Sequence, residues 1–339
     1  MYILSTIVFA LILIYFRYDY SKVRDFSLDF VCTEQIKGLA ILMVILGHLN
    51  TEFYDWRFMQ PFGSMGVALF LFISGYGLTK SFENKRLDGF FKKRITAVLI
   101  PYSVVTVLWI IVDYLSGIKH STATILLAVL GLDFSRSVDE TMWYISFIII
   151  WYVAFYLTFR FVKRDLLKIA ALFSFSLMSI IIGLTDFVGG ASYLWEGHSI
   201  IFPIGVFYAM YAEKYVVKYK NRLLIPLIIT SSIIFYLNFN ADLSSAVDYI
   251  INDVFFILTI TGMLIVLRHY NLKSLFLEKI GSYSYELYLF EGYLISKIIK
   301  PDFMENGESL WIYLLLVIVL SYSYHKVIKI TNKKIYRLL

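Results

Sequence analysis

The chain has 339 residues, of which 59% are hydrophobic and 17% are charged, and its mean hydropathy is +0.72. A soluble globular domain has about a quarter of its residues charged, so this composition excludes a water-facing globule and predicts a protein whose solvent is lipid. The net charge of +6 could indicate nucleic acid, but Lys and Arg occur in short clusters between apolar runs. That arrangement is typical of membrane orientation, and no nucleic-acid partner is predicted.

Metal sites and disulfides are also not indicated. Cys32 is the single cysteine of the sequence, which excludes an intramolecular disulfide framework. The five histidines are scattered and none has the spacing of a zinc motif, so no bound metal is predicted.

Apolar runs predict an all-α fold, a polytopic membrane helix bundle with about eleven transmembrane helices, because a helix needs roughly 20 residues to cross the hydrocarbon. The first is predicted to be an uncleaved helix, and the segment 121–132 is too short to cross and is predicted to be re-entrant or interfacial. No soluble domain or linker interrupts the pattern, so residues 1–339 are predicted to form a single membrane domain. The approximate spans are 1–16, 38–54, 64–80, 95–115, 142–162, 167–188, 199–215, 223–239, 249–268, 283–299 and 310–329.

The basic residues predict the orientation of these spans, because short cytoplasmic loops carry an excess of Lys and Arg. With the amino terminus outside, nearly all of the 31 basic residues fall on the cytoplasmic side. The exceptions are Arg57, Lys119, Arg136, Lys297 and Lys300. We therefore expect a multi-pass protein of the cytoplasmic (inner) cell membrane with its carboxyl terminus in the cytoplasm.

Ionisable side chains deep in a membrane usually face the bundle interior and mark a site or pathway. His48 lies about ten residues into its apolar span, and Lys37 precedes it by three helical turns, so the two share one helix face. A lone membrane histidine can equally be a structural side chain bonded to a neighbouring helix, and Lys37 can be a snorkelling anchor. Both interpretations stay open from these residues alone.

Two further spans carry polar interruptions. In the run GVALFLFISGYGL, Ser74, Gly75 and Gly77 are small residues that suit a packing notch, and helical rise alone puts Ser74 near the depth of His48. Glu291 lies about eight residues into its span and could stabilise an imidazole, or could hydrogen-bond a tyrosine such as Tyr288 for structure.

Clustered basic and aromatic residues at the span ends are the remaining candidates. Lys92, Lys93 and Arg94 are either snorkelling anchors or contacts for a cytoplasmic polyanion such as the phosphates of coenzyme A. Trp143 and Tyr144, at a predicted outer end, are either aromatic-belt anchors or substrate-binding residues. His198, just outside another span, could bind a sugar or could merely belong to the loop.

Five segments together resemble the acyltransferase 3 family of bacterial membrane O-acyltransferases. The segments are IKGLAILMVILGHL, GVALFLFISGYGL, FFKKRITAVLIPY, MWYISFIIIWY and IGSYSYELYLFEGYLI, and they keep the order and spacing of the family's motifs. The resemblance covers about 31–335 as a ten-helix acyltransferase core, with 1–30 as an additional helix and loop.

The resemblance implies that His48 is the catalytic histidine, with Lys37 as its basic motif partner and Ser74 near the reaction centre. It implies that Arg94 belongs to the acyl-donor end. The sequence departs from the family in three ways: Lys37 stands where arginine is usual, Arg94 has no second arginine beside it, and Glu291 stands where a histidine is common. A role for Glu291 cannot therefore be inherited.

The resemblance favours a membrane-bound acyltransferase that O-acetylates a cell-envelope glycan, with acetyl-coenzyme A as the acyl donor and a glycan or glycolipid as the acceptor. The alternative is a transporter or flippase of a lipid-linked glycan, in which His48 and Glu291 would relay protons. The sequence shows no matching pair of broken helices that such a transporter would have. It does not indicate an oligomeric state.

Overall fold

The computed structural model describes most of the chain, including all or most of every predicted span except the first. The described residues are 16–18, 28–54, 56–184, 195, 197–240, 245–269, 272–298 and 308–338.

Helices make up nearly all of the described residues, which confirms the all-α fold class. They are α1 (Phe30–Leu49), α2 (Gln60–Lys85), α3 (Phe90–Arg94), α4 (Ile100–Leu115), α5 (Thr122–Val129), α6 (Trp143–Phe161), α7 (Asp165–Leu184), α8 (Ile201–Phe207), α9 (Glu213–Asn240), α10 (Ser245–His269), α11 (Leu275–Gly281), α12 (Ser284–Tyr293) and α13 (Glu308–Leu338). Short π-helical segments lie at Asn50–Tyr54, Ile95–Leu99, Tyr208–Ala212 and Leu294–Ile298, and 3-10 turns lie at Arg57–Met59 and Glu140–Met142.

Two strands of three residues, β1 (Phe16–Tyr18) and β2 (Leu272–Ser274), form a small antiparallel ladder that the sequence did not predict. Phe16 lies opposite Ser274, and Tyr18 lies opposite Leu272. The ladder begins at the last residue of the predicted first span, whose other residues lie outside the described part of the chain.

Seven helical stretches of the described chain are long and apolar enough to cross a membrane. They are Phe30–Tyr54, Gln60–Lys85, Phe90–Leu115, Glu140–Phe161, Ile201–Leu237, Ile250–Leu267 and Leu310–Thr331. The predicted spans 167–188 and 283–299 are described in part, and those parts are helical. The short segment predicted to be interfacial contains α5, whose eight residues are too few to cross.

The chain is helical without interruption from residue 201 to residue 240, where two separate spans were predicted. A straight helix would separate residues 198 and 235 by about 55 Å. However, the Phe256 ring lies 5.9 Å from the His198 ring, and its neighbour Phe255 lies 5.8 Å from Phe235. The helix axis therefore folds back within this stretch, as two antiparallel crossings require.

The chain divides into two compact units. The first unit comprises 1–50, 55–84 and 196–284, and the second comprises 51–54, 85–195 and 285–339.

In the first unit, α1 and α11 approach so closely that neither helix has room for a side chain at the contact. A Cβ atom at Gly38 would collide with the Leu277 carbonyl oxygen, and one at Gly281 would collide with the Glu34 carbonyl oxygen. The side-chain oxygen of Gln35 accepts a hydrogen bond from the Ser274 amide at 2.5 Å. This joins α1 to the strand that precedes α11.

In the second unit, α4 packs against α12 through aromatic rings. Trp109 stacks on Tyr293 with ring centroids 4.2 Å apart, and its indole nitrogen donates to the Leu289 carbonyl at 3.3 Å. The Tyr324 hydroxyl of α13 donates to the Pro101 carbonyl at 2.9 Å. Proline has no amide hydrogen and is therefore tolerated in the first turn of α4.

Candidate functional site

Glycines set the register between α1 and α2. A Cβ atom at Gly47 would lie 2.5 Å from Cα of Gly63, and one at Gly66 would lie 2.5 Å from the Ala40 carbonyl oxygen. The two helices are therefore antiparallel and in backbone contact. His48, which follows Gly47, lies at the level of the first turns of α2.

The side chain of His48 lies on the stripe of α1 that faces the interior of the first unit. Lys37, Ile41, Val44 and His48 recur at helical spacing, and Ile41 is 0% and Val44 2% exposed. Val44 contacts the position of Gly66 on α2. His48 itself is half-buried.

A second histidine lies at the same level. His198 Nε2 is 3.1 Å from the Ser64 carbonyl oxygen, one residue from the glycine contact that fixes the level of His48. The His198 ring is also stacked on Phe256 of α10. The first unit therefore brings together two predicted site residues from distant parts of the sequence.

Lys37 and Ser74 lie at a different level from His48. Ser74 follows Gly63 by eleven residues, which is about 16 Å along α2, and the antiparallel register places it near Lys37. The expectation that Ser74 lies at the depth of His48 is therefore wrong. That expectation used only the helical rise from the predicted ends of the two spans, whereas the contacts between α1 and α2 set the relative positions of their residues. Lys37 forms an ion pair with Glu34 at 2.7 Å.

The helix α2 runs parallel to α8 at this second level. Cβ atoms at Gly75 and Gly205 would collide with the Phe202 and Phe72 carbonyl oxygens respectively. Gly75 is thus a packing notch, as the sequence suggested, whereas a Cβ atom at Gly77 would have no neighbour within 4 Å. The Tyr76 hydroxyl adds a hydrogen bond of 2.7 Å to Glu213.

Sequence reasoning missed Asp253 on α10, an acidic residue within a predicted apolar span. Asp253 is 3% exposed, and its Oδ1 atom has no hydrogen-bond partner in the described structure. It precedes Phe256 by one helical turn and so shares the buried face that contacts His198. A carboxylate four residues into an apolar run was the signal that could have identified it.

In the second unit, the basic segment of α3 presents Arg94 to aromatic rings. The Arg94 guanidinium lies 4.3 Å from the centre of the Phe90 ring and 5.8 Å from that of Tyr152, and it is half-buried. The Lys93 ammonium donates to the Asp88 carbonyl at 3.3 Å, and Lys92 is likewise half-buried. Arg94 is therefore held against two aromatic rings.

Glu291 is fully buried in the second unit, at 0% exposure. The Tyr313 hydroxyl of α13 lies 3.5 Å from its Oε2 atom and 3.4 Å from its carbonyl oxygen. A tyrosine partner was one of the two predicted interpretations, but Tyr288 instead donates to the Thr141 carbonyl at 2.5 Å. The register of α12 against α13 decided which tyrosine is adjacent.

The two aromatic candidates of α6 also lie in the second unit. Trp143 is buried at 8% exposure, and the Tyr144 ring packs edge-on against Tyr288 at 5.7 Å. Trp143 is therefore part of the packed interior rather than a lipid-facing belt residue.

A further buried cluster of the second unit was not predicted. Asp113 is 1% exposed and accepts a hydrogen bond from the Tyr293 hydroxyl at 2.6 Å. His120 Nε2 lies 2.7 Å from the Oδ2 atom of Asp113, and the Lys297 ammonium lies 3.8 Å from its Oδ1 atom. Among the described residues no group of His, Cys, Asp and Glu could hold a metal ion.

The long apolar helices and the polar groups buried among them define a multi-pass membrane protein. The chain belongs to the acyltransferase 3 family, whose model, described as an acyltransferase domain, matches residues 30–324. The protein is therefore a membrane acyltransferase, which confirms the resemblance seen in the sequence. No curated protein and no solved structure matches the chain.

Proposed function

We propose that this acyltransferase transfers an acetyl group from acetyl-coenzyme A to a hydroxyl of a cell-envelope glycan. The observation that carries the proposal is His48, which lies on the buried stripe of α1 within a chain that belongs to an acyltransferase family. A neutral imidazole is the side chain best matched to accept a hydroxyl proton near neutral pH.

In the proposed reaction, His48 takes the proton of the acceptor hydroxyl while the hydroxyl oxygen attacks the thioester carbonyl carbon. The carbon–sulfur bond then breaks, and the coenzyme A thiolate leaves and takes up that proton. In a second form of the reaction, His48 carries the acetyl group before the acceptor attacks it. Both forms require the imidazole and differ only in whether an acyl-enzyme accumulates.

The proposed roles of the other candidate residues follow from their positions along the helices and from the chemistry of their side chains. Arg94, with Lys93 and Lys92, would bind the phosphates of the donor, since a guanidinium and ammonium groups suit phosphate oxygens. His198 would bind the acceptor, because it lies at the level of His48.

Four further residues are proposed to contact the donor or the acceptor. The register places Lys37 and Ser74 about 16 Å from the imidazole along the helices, so we propose that they line the path of the donor. Trp143 and Tyr144 would bind the acceptor sugar.

Glu291 is proposed to hold α12 against α13 through Tyr313. The contacts of its carboxylate and carbonyl oxygens with the Tyr313 hydroxyl support this structural role.

The proposed location is the cytoplasmic membrane, with the amino terminus outside and the carboxyl terminus in the cytoplasm. In that orientation α1 runs outward, so Lys37 lies toward the source of acetyl-coenzyme A and His48 toward the envelope. The distribution of Lys and Arg along the sequence supports this orientation.

The test is release of coenzyme A by the purified protein supplied with acetyl-coenzyme A and envelope polysaccharide. We expect His48→Ala and His48→Gln to lower kcat by about 100-fold or more, the usual contribution of a general base. The control is His325→Gln, since His325 is a membrane-helix histidine whose Nδ1 atom is bonded to Glu286 at 2.9 Å and whose replacement should leave kcat nearly unchanged.

Full activity of a folded His48→Ala protein would remove the central role of His48. If the wild-type protein released no coenzyme A with glycan acceptors, and loss of the protein left the acetyl content of envelope glycans unchanged, the transporter alternative would be favoured.

A further inference from the structure

Asp253 is a buried acidic residue whose Oδ1 atom has no hydrogen-bond partner in the described structure. It lies four residues into the candidate span Ile250–Leu267 and is 3% exposed. Its Oδ1 atom is sealed from solvent and accepts no hydrogen bond within the described structure. Phe256, Ile260 and Leu264, which continue the same face of α10, are 1% to 2% exposed, so Asp253 belongs to an otherwise apolar packed stripe.

A carboxyl group in this position destabilises the folded protein. Burying a polar group without a hydrogen bond costs about 1–3 kcal/mol in proteins, and more if the group is charged. An apolar residue of similar volume would be expected to fit at least as well, as it does where buried ion pairs have been replaced. Buried acceptors without donors in a free protein are often groups that a ligand satisfies.

The surroundings of Asp253 connect it to the predicted catalytic level. Phe256 holds the ring of His198, whose Nε2 atom is bonded to the Ser64 carbonyl at 3.1 Å. Gly63, the neighbour of Ser64, is in backbone contact with Gly47, the neighbour of His48. Four helical segments, α1, α2, the start of α8 and α10, thus bring His48, His198 and Asp253 to one end of the first unit.

We propose that Asp253 is an acceptor-binding residue, whose carboxylate accepts a hydrogen bond from a hydroxyl of the acceptor next to the one that is acylated. This inference rests on the proposed function and names a residue that the family motifs in the sequence do not contain. A carboxyl oxygen accepts a hydrogen bond from a hydroxyl, so this position selects an acceptor with neighbouring hydroxyl groups. Phe256 positions His198 through the contact between their rings.

The test compares Asp253→Leu, Asp253→Asn and the wild-type protein, purified in detergent, for the KM of each substrate and for Tm. The substrates are acetyl-coenzyme A and oligosaccharides released from the envelope polysaccharide. We expect both variants to raise the acceptor KM by roughly 10-fold to 100-fold, which corresponds to the loss of one hydrogen bond at a buried group. The KM of acetyl-coenzyme A and the Tm should be unchanged, or the Tm slightly raised in Asp253→Leu.

Thr259→Val is a matched control on the same helix. The Thr259 hydroxyl is buried without a hydrogen-bond partner in the described structure, but it lines the apolar groove between α9 and α10 and not the His198 face. Its replacement should leave both KM values unchanged.

An unchanged acceptor KM in Asp253→Leu would overturn the inference and leave Asp253 as a structural group. An equal rise in both KM values, or loss of folding in both variants, would also overturn the inference. Either result would show that Asp253 is needed for the structure of the protein and not specifically for binding the acceptor. Absence of acetyl transfer by the wild-type protein would instead contradict the proposed function, and direct titration of the oligosaccharide against wild-type and Asp253→Leu protein would then test the binding role alone.

Discussion

The pair of Glu34 and Lys37 shows how a predicted site residue can be tied to the fold. Glu34 is 5% exposed, and the Lys37 ammonium lies 2.7 Å from one of its oxygens. The spacing of three residues on one helix allows this pair. The sequence predicted the shared face of Lys37 and His48, but it could not show that Glu34 would be buried under α11.

At this scale we predict that Lys37→Met destabilises the protein by about 1–3 kcal/mol, because it leaves a buried carboxylate without its donor. The double variant Glu34→Gln with Lys37→Met should recover most of that loss, since the removed partners belong to one pair. Thermal unfolding in detergent measures both. If the double variant is stable but slow in acetyl transfer, Lys37 also serves the reaction. Equal Tm values for Lys37→Met and the wild-type protein would show that the pair contributes nothing to stability.

At the scale of the helix, α2 carries two glycines with opposite surroundings. A Cβ atom at Gly75 would collide with the carbonyl oxygen of Phe202, whereas a Cβ atom at Gly77 would have no neighbour within 4 Å. The two residues are equivalent in the sequence, where both suit a packing notch. Only the packing of α2 on α8 shows which of them is in contact.

We therefore predict opposite effects for the same substitution at these two positions. Gly75→Ala should destabilise the protein by about 1–3 kcal/mol, because the backbones must separate. Gly77→Ala should be neutral or stabilising by about 0.5–1 kcal/mol, since alanine is the better helix former. The measurement is the Tm of each variant relative to the wild-type protein. An equal decrease in Tm for both variants would contradict the observed contact between α2 and α8.

At the scale of the whole molecule, the membrane orientation is predicted from charge rather than from packing. Lys214, Lys218, Lys220 and Arg222 cluster in the stretch where the helix axis folds back. Such a cluster is expected on the cytoplasmic side. Arg136 belongs to the segment between α5 and α6, which the same rule places outside.

The orientation predicts which side of the membrane each of two introduced cysteines faces. In a Cys32→Ala background, Lys220→Cys should react with a membrane-impermeant maleimide only from the cytoplasmic face of vesicles, and Arg136→Cys only from the outer face. Cys32 is the single cysteine of the sequence, so its replacement by alanine leaves the introduced cysteine as the one thiol that can be labelled. Cys32 is also buried, at 5% exposure. Labelling of both positions from one face would show that the number of crossings between them is wrong.

The sequence by itself determined the helical class, the apolar spans, the short helix α5, the family and the common face of Lys37 and His48. These features are local, because they depend on run length and on the 3.6-residue period of a single helix. Only the tertiary structure decided which levels of different helices meet. It separated Ser74 from His48, because backbone contacts at glycines fix the register of α1 against α2 and no spacing along one helix encodes that register. It also bonded His198 to the Ser64 carbonyl at the level of His48 and gave Glu291 the partner Tyr313.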